Sequence, residues 1–252
     1  MSSSSLSDVR RALLPAGKLR AAINYGNIVL AQKDAVTGAP GGVSVALARE
    51  LARRLGVELE ILGFDAAGKV FAETDNNTWD IGFLAIDPVR GQKVLFTAPY
   101  VLIEGTYLVN RNSPLRSIDD IDAEGVRVAV GKGAAYDLFL TRELKKAEIV
   151  RADTSAAAID LFLEKNLDAA AGVRQPLEKA AEGNARLKVL PGSFTSIRQA
   201  MVTPKKNQIA LDYLHAFIEE MKASGFVERE LKTSGQDSAG IAPPENQAPQ
   251  PV

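Results

Sequence analysis

Cysteine is absent from this chain and histidine occurs once. Without cysteine there is no thiol nucleophile, no thiolate metal site and no disulfide. The single histidine, His215, makes a histidine-rich metal centre or a Ser-His-Asp triad hard to build. It falls within the amphipathic stretch 211–221 and reads as an ordinary helix-face residue. Long apolar runs are also missing. None approaches the ~18 residues of a membrane span, so no membrane insertion is expected. The stretch from Met1 to Gly17 has no apolar core after a basic start and does not read as a signal peptide. Neither sign of charge is in excess, with 30 lysines and arginines against 31 aspartates and glutamates. That balance gives no electrostatic reason to expect nucleic acid or an anionic membrane as partner. A small molecule is the expected partner.

The 252 residues are enough for one large domain or two small ones. Apolar content of 46% and charged content of 24% are those of a soluble globular chain. From Lys18 onward, strand and helix patterns alternate. Leu19 to Ile23 reads as a strand, and Leu47, Leu51 and Leu55 at helical spacing mark a helix that Gly56 stops. Val57, Leu59 and Ile61 alternate with glutamates, as in a half-buried strand. A short helix over 66–74 leads to a strand over 79–86. Further strands are expected at 106–109, 126–130, 148–151, 167–172, 187–190 and 197–202. Helices are expected over 134–146, from a Thr154 or Ser155 cap to Asn166, and over 176–182, 207–222 and 225–233. The tail from Gln236 carries four prolines and little apolar mass, so it is expected to be mobile. Alternation this dense predicts an α/β fold with helices on both faces of its sheets.

The most informative stretch runs from Asp80 to Tyr100. A buried strand containing Phe83 and Ala85 enters Ile86-Asp87-Pro88-Val89-Arg90, and a second apolar run closes in Phe96-Thr97-Ala98-Pro99-Tyr100. Arg90 therefore lies just past a strand end, where open α/β folds hold small ligands. Its planar, permanently charged fork suits a carboxylate, the alternative being a surface salt bridge. Gly131-Lys132-Gly133-Ala134-Ala135-Tyr136 lies between a strand and a helix. Backbone N–H groups there favour an anion, though a plain tight turn would also explain it. The loop has neither Walker nor dinucleotide-binding spacing, and no cofactor is expected.

The I-x-P-x-R step and the F-[ST]-x-P-Y segment resemble the signature of bacterial extracellular solute-binding proteins of the amino-acid-receptor cluster. Weaker similarities lie in order along residues 18–235: Gly17-Lys18-Leu19-Arg20, the helix end from Ala48 to Gly56, Asn112-Ser113-Pro114 before Ser117-Ile118-Asp119-Asp120, and Met221 to Gly225. The resemblance implies a two-lobed type II periplasmic-binding fold. Lobe 1 would hold 1–105 and 202–252, and lobe 2 would hold 106–201. Crossings near 104–108 and 198–203 would form a two-strand hinge, with ligand in the cleft between the lobes. It also implies a monomer that takes a small carboxylate and delivers it to the permease subunits of an ABC importer. The location would be periplasmic if a leader has been removed, and cytoplasmic otherwise.

Site roles follow from the same resemblance. Arg90 would clamp the carboxylate, and Lys132, Gly133, Ala134, Ala135 and Tyr136 would complete that site from lobe 2. Asn24 and Asn27 follow the first strand where an acid and an aromatic usually touch ligand. Phe64 stands where an aromatic often stacks, although it would serve equally as core, and Trp79 reads as core or rim packing. The chain departs from the pattern where an ammonium would be held. Asn24 replaces an aspartate, Ala85 a threonine, and Val173 the aspartate that follows the Asp168-Ala169 strand. Either the ligand carries no free α-amine, or Asp87, Glu104 or Asp137 meets it. An enzyme related to cyclohexadienyl dehydratases is a weaker reading, since Gly172 to Gln175 offers no acid for proton transfer. A stand-alone ligand-sensing module is the other alternative.

Overall fold

The computed structural model describes residues 5–245. Twelve strands and eight α-helices alternate along the described chain, with short 3-10 turns between some of them. The strands are β1 (Leu19–Asn24), β2 (Gln32–Lys33), β3 (Pro40–Gly41), β4 (Leu59–Phe64), β5 (Ile81–Ala85) and β6 (Val94–Asn110). They continue as β7 (Arg127–Gly131), β8 (Glu148–Ala152), β9 (Ala169–Val173), β10 (Leu187–Val189), β11 (Thr195–Pro204) and β12 (Gly240–Ile241). The helices are α1 (Leu6–Leu13), α2 (Val43–Leu55), α3 (Ala67–Ala72), α4 (Ala135–Glu143), α5 (Ser155–Glu164), α6 (Arg174–Glu182), α7 (Leu211–Ala223) and α8 (Phe226–Thr233).

Ten strands form one sheet in the order β4-β1-β5-β11-β6-β9-β7-β8, with β10 and β12 pairing β6 off that path. β4, β1 and β5 run parallel, as do β9, β7 and β8. Between these groups, β11 and β6 pair antiparallel along most of their length. Alternation decides which way each side chain points. Ala129 and Ala170 bury into a cluster with Phe162 and Leu177, whereas Val128, Val130 and Ala171 join the main core on the opposite face. Trp79 is core: it packs with Ala22, Val70 and Leu84, and its indole N–H donates to the Val70 carbonyl.

Two expectations need correction, and one element was not foreseen. The runs on either side of Pro99 are one 17-residue strand, β6. Proline has no N–H for a ladder, yet Pro99 sits where β11 shifts register around Ala200, so the irregular pairing accommodates it. The N-terminal stretch holds a helix, α1, capped by Ser5 and burying Val9 and Leu13. The tail is not free through its described length. Gly240–Ile241 pairs with Leu102 and Val101 of β6, and Ala239 and Ala242 are buried. The rest of that expectation, 246–252, and the first four residues of the N-terminal stretch lie outside the described residues.

Candidate functional site

The two groups of parallel strands end facing one another. Ala85, the last residue of β5, is in register with Gln199 of β11, which is in register with Val101 of β6. Val173, the last residue of β9, is in register with Gly105 of β6. Residues 101–105 span about 13 Å at ordinary strand rise. A cavity of ≈ 230 Å³ occupies this region, lined from one side by Asn24 and Ala85 and from the other by Gly131 and Val173. Its walls are mostly apolar, with Phe83, Ile28, Leu30, Ile159 and Ile197 among them.

Arg90 is the buried charge of this cavity. It lies in a 3-10 turn (Arg90–Gln92) after β5, and only 1% of it is exposed. One terminal nitrogen donates to the Ala85 carbonyl at 3.0 Å, and the other to the Gly133 carbonyl at 2.9 Å. The buried Nε has no hydrogen-bond partner among the described residues. Burial lowers the guanidinium pKa to about 10, while Asp87 acts in the opposite direction. Arg90 therefore remains charged at neutral pH, in a setting that favours an incoming anion.

Ten of the expected site residues line the cavity together: Asn24, Asn27, Phe83, Ala85 and Arg90 from one half, and Lys132, Ala134, Ala135, Tyr136 and Val173 from the other. Gly133 is beside it, giving its carbonyl to Arg90 and its N–H to Asp137 at 2.8 Å. The N–H groups of Lys132 and Ala134 donate to the carbonyls of Ala152 and Gly131. The loop's donors toward the cavity thus begin at the uncapped start of α4. Phe64 is not brought to the cavity. It packs against the Val70 and Trp79 cluster.

The sequence matches the family of bacterial extracellular solute-binding proteins, family 3, over residues 29–233. The chain belongs to that family. Solved structures agree on a type II periplasmic-binding fold for this solute-binding protein. A mutant of ArgBP from T. maritima superposes with a TM-score of 0.76 at 21% identity, covering 90% of this chain and 99% of that one. AbpA from Streptococcus pneumoniae, bound to L-arginine, gives 0.77 at 20% identity over 90% and 98%. The ancestral amino acid-binding protein AncCDT-1, a precursor of cyclohexadienyl dehydratase, gives 0.73 at 23% identity over 88% and 97%. Among curated proteins, the virulence sensor protein BvgS of Bordetella pertussis is 30% identical over 119 residues, 47% of this chain but 10% of that protein. No described helix is long and apolar enough to cross a membrane.

The sequence left several lining residues of the solute-binding protein unsignalled. Ile197 and Gln199 share a face of β11, two residues apart, a spacing that could have paired them. Ser155, at the start of α5, accepts a hydrogen bond from the Tyr136 hydroxyl at 2.8 Å. Lys179 reaches the cavity from α6, and no pattern in the sequence marks it. The acids suggested as partners for an amine are not lining residues. Asp87 is bound by Arg142 at 2.9 Å, Asp137 by Arg151 at 3.0 Å, and Glu104 by Arg174.

Proposed function

We propose that this protein is a receptor for a small carboxylate, amino acid or other organic acid, delivered to an ABC importer. Arg90 is the carboxylate clamp, assisted by the first N–H groups of α4. The observation carrying this reading is the charged, buried Arg90 at a cavity wall with Nε unpartnered. An importer partner is supported by solved relatives described as amino acid ABC transporter substrate-binding proteins. The same family supports a periplasmic location. On this reading the halves are lobes, 1–105 with 202–252 and 106–201, which close on ligand by bending β6 and β11 near 104–108 and 198–203.

The test is a thermal-shift screen against amino acids, 2-oxo acids and dicarboxylates, with Arg90→Ala beside the wild type. A ligand at 100 times its dissociation constant should add about 2.7 kcal/mol of stability. A shift that Arg90→Ala abolishes is the expected result. If no carboxylate moves the wild type, the clamp reading is wrong. The similarity to BvgS favours one alternative, a ligand-sensing module. Ligand-stimulated ATP hydrolysis by reconstituted importer subunits separates the two.

A further inference from the structure

The cavity is rich in donors and short of acceptors. None of its lining residues is aspartate or glutamate, whereas Arg90, Lys132 and Lys179 all line it. Neither lysine is in an ion pair among the described residues, and both are exposed at the mouth. Most of the neutral side-chain oxygens are already in one hydrogen bond. Asn24 Oδ1 accepts from the Gly26 N–H at 3.0 Å, and Asn27 Oδ1 from the Val29 N–H at 3.2 Å. A backbone N–H can donate only to the amide oxygen, so each side chain has its NH₂ end left over. Ser44 is paired with the Tyr100 hydroxyl at 2.9 Å, and Ser155 with Tyr136. The Ala85 and Gly133 carbonyls beside Arg90 accept from its guanidinium. Gln199 is the one neutral polar side chain of the cavity with no hydrogen bond among the described residues.

An ammonium entering this space would meet no carboxylate, and Gln199 would be the one side-chain acceptor not already in a hydrogen bond among the described residues, in the field of three cations. A desolvated ammonium needs a carboxylate or several acceptors. A carbonyl oxygen has the opposite requirement, and the spare NH₂ groups of Asn24 and Asn27 meet it. We infer that the ligand is an organic acid without a protonated α-amine, a 2-oxo acid being held more tightly than the amino acid with the same side chain. This rests on the carboxylate reading above and narrows its substrate class.

The experiment is isothermal titration calorimetry at pH 7 with matched pairs: 4-methyl-2-oxopentanoate and leucine, phenylpyruvate and phenylalanine, 2-oxoglutarate and glutamate. The expected result is at least a tenfold preference (about 1.4 kcal/mol) for the amine-free member of every pair that binds. Asn24→Asp keeps the oxygen that Gly26 needs and adds a carboxylate. It should reduce or reverse that preference, and Gln199→Glu should act in the same sense. Equal or tighter wild-type binding of the amino acids overturns the inference and leaves the carboxylate reading standing. Absence of binding by all six acids overturns both. A preference unmoved by both variants shows that the missing acid is not its cause and overturns the argument.

Discussion

Arg90 sets the terms at the scale of single residues. Burying a guanidinium against two carbonyls, with one donor unpaired, costs fold stability that a ligand carboxylate would offset. Arg90→Met should therefore leave the ligand-free protein as stable as the wild type or up to about 2 kcal/mol more stable, while abolishing the ligand-induced shift. Urea unfolding with and without ligand measures both effects. A loss of several kcal/mol would mean that Arg90 is structural. Arg90 was legible in the sequence because a cation just past a strand end has few structural uses. Lys179 was not, because a lysine on a helix face looks the same whether it meets solvent or a cavity mouth.

Elements carry the next set of consequences. Glu50 of α2 accepts from Arg53 and Arg54, and Arg54 also pairs with Glu220 of α7, tying the two helices together. Hydrogen bonds from Arg53, joined by Arg54, hold the Glu50 pKa at about 2, down from 4.5. A carboxyl depressed on folding adds stability above its unfolded pKa and loses it as pH falls through the folded one. Glu50→Gln should thus cost about 1 kcal/mol at pH 7, with the difference from wild type shrinking below pH 4.5 and vanishing only below 2. Chemical denaturation across that range checks it. Ending the chain at Gln236 should cost about 1–2 kcal/mol, because it uncovers the β6 edge at Val101 and Leu102 and removes Ala239 and Ala242 from the core. Hydrogen exchange should show faster opening of β6 there. The regular elements were readable from their periods and caps, as at Thr154, which accepts from the Ala157 N–H. β6 was split by reading Pro99 as punctuation, since only the register of β11 shows that the ladder yields there. β12 was invisible because two residues have no period.

For the whole molecule, the contacts between the halves matter most. Arg90 reaches the Gly133 carbonyl, and Asp87, almost wholly buried, pairs with Arg142 of α4. On the proposed closure, Arg142→Gln should raise ligand dissociation by about tenfold (1.4 kcal/mol) with no change in the cavity lining, because it would leave the Asp87 carboxylate to be rehydrated as the halves part. Stopped-flow displacement measures this rate, and an unchanged rate would assign the pair to fold stability alone. The α/β alternation of each half was legible in the sequence, though the order of strands in the sheet was not. How the halves meet was not, because it depends on single contacts between residues some 50 positions apart.

One of those contacts is between two glycines. A methyl group on Gly133 would stand 2.8 Å from the Gly68 Cα, and one on Gly68 would stand 2.9 Å from the Lys132 carbonyl oxygen. Both are closer than side chains tolerate, and Gly133 also has φ +71°, a conformation that glycine adopts freely. Backbone therefore rests on backbone at the seam, with no side chain to yield. Such a seam works as a gauge with very little play. On the proposed closure, a ligand standing proud of the cavity by the thickness of one methyl group would hold the halves ajar as surely as a mutation to alanine, so size would be judged at the seam, away from the wall that the ligand touches.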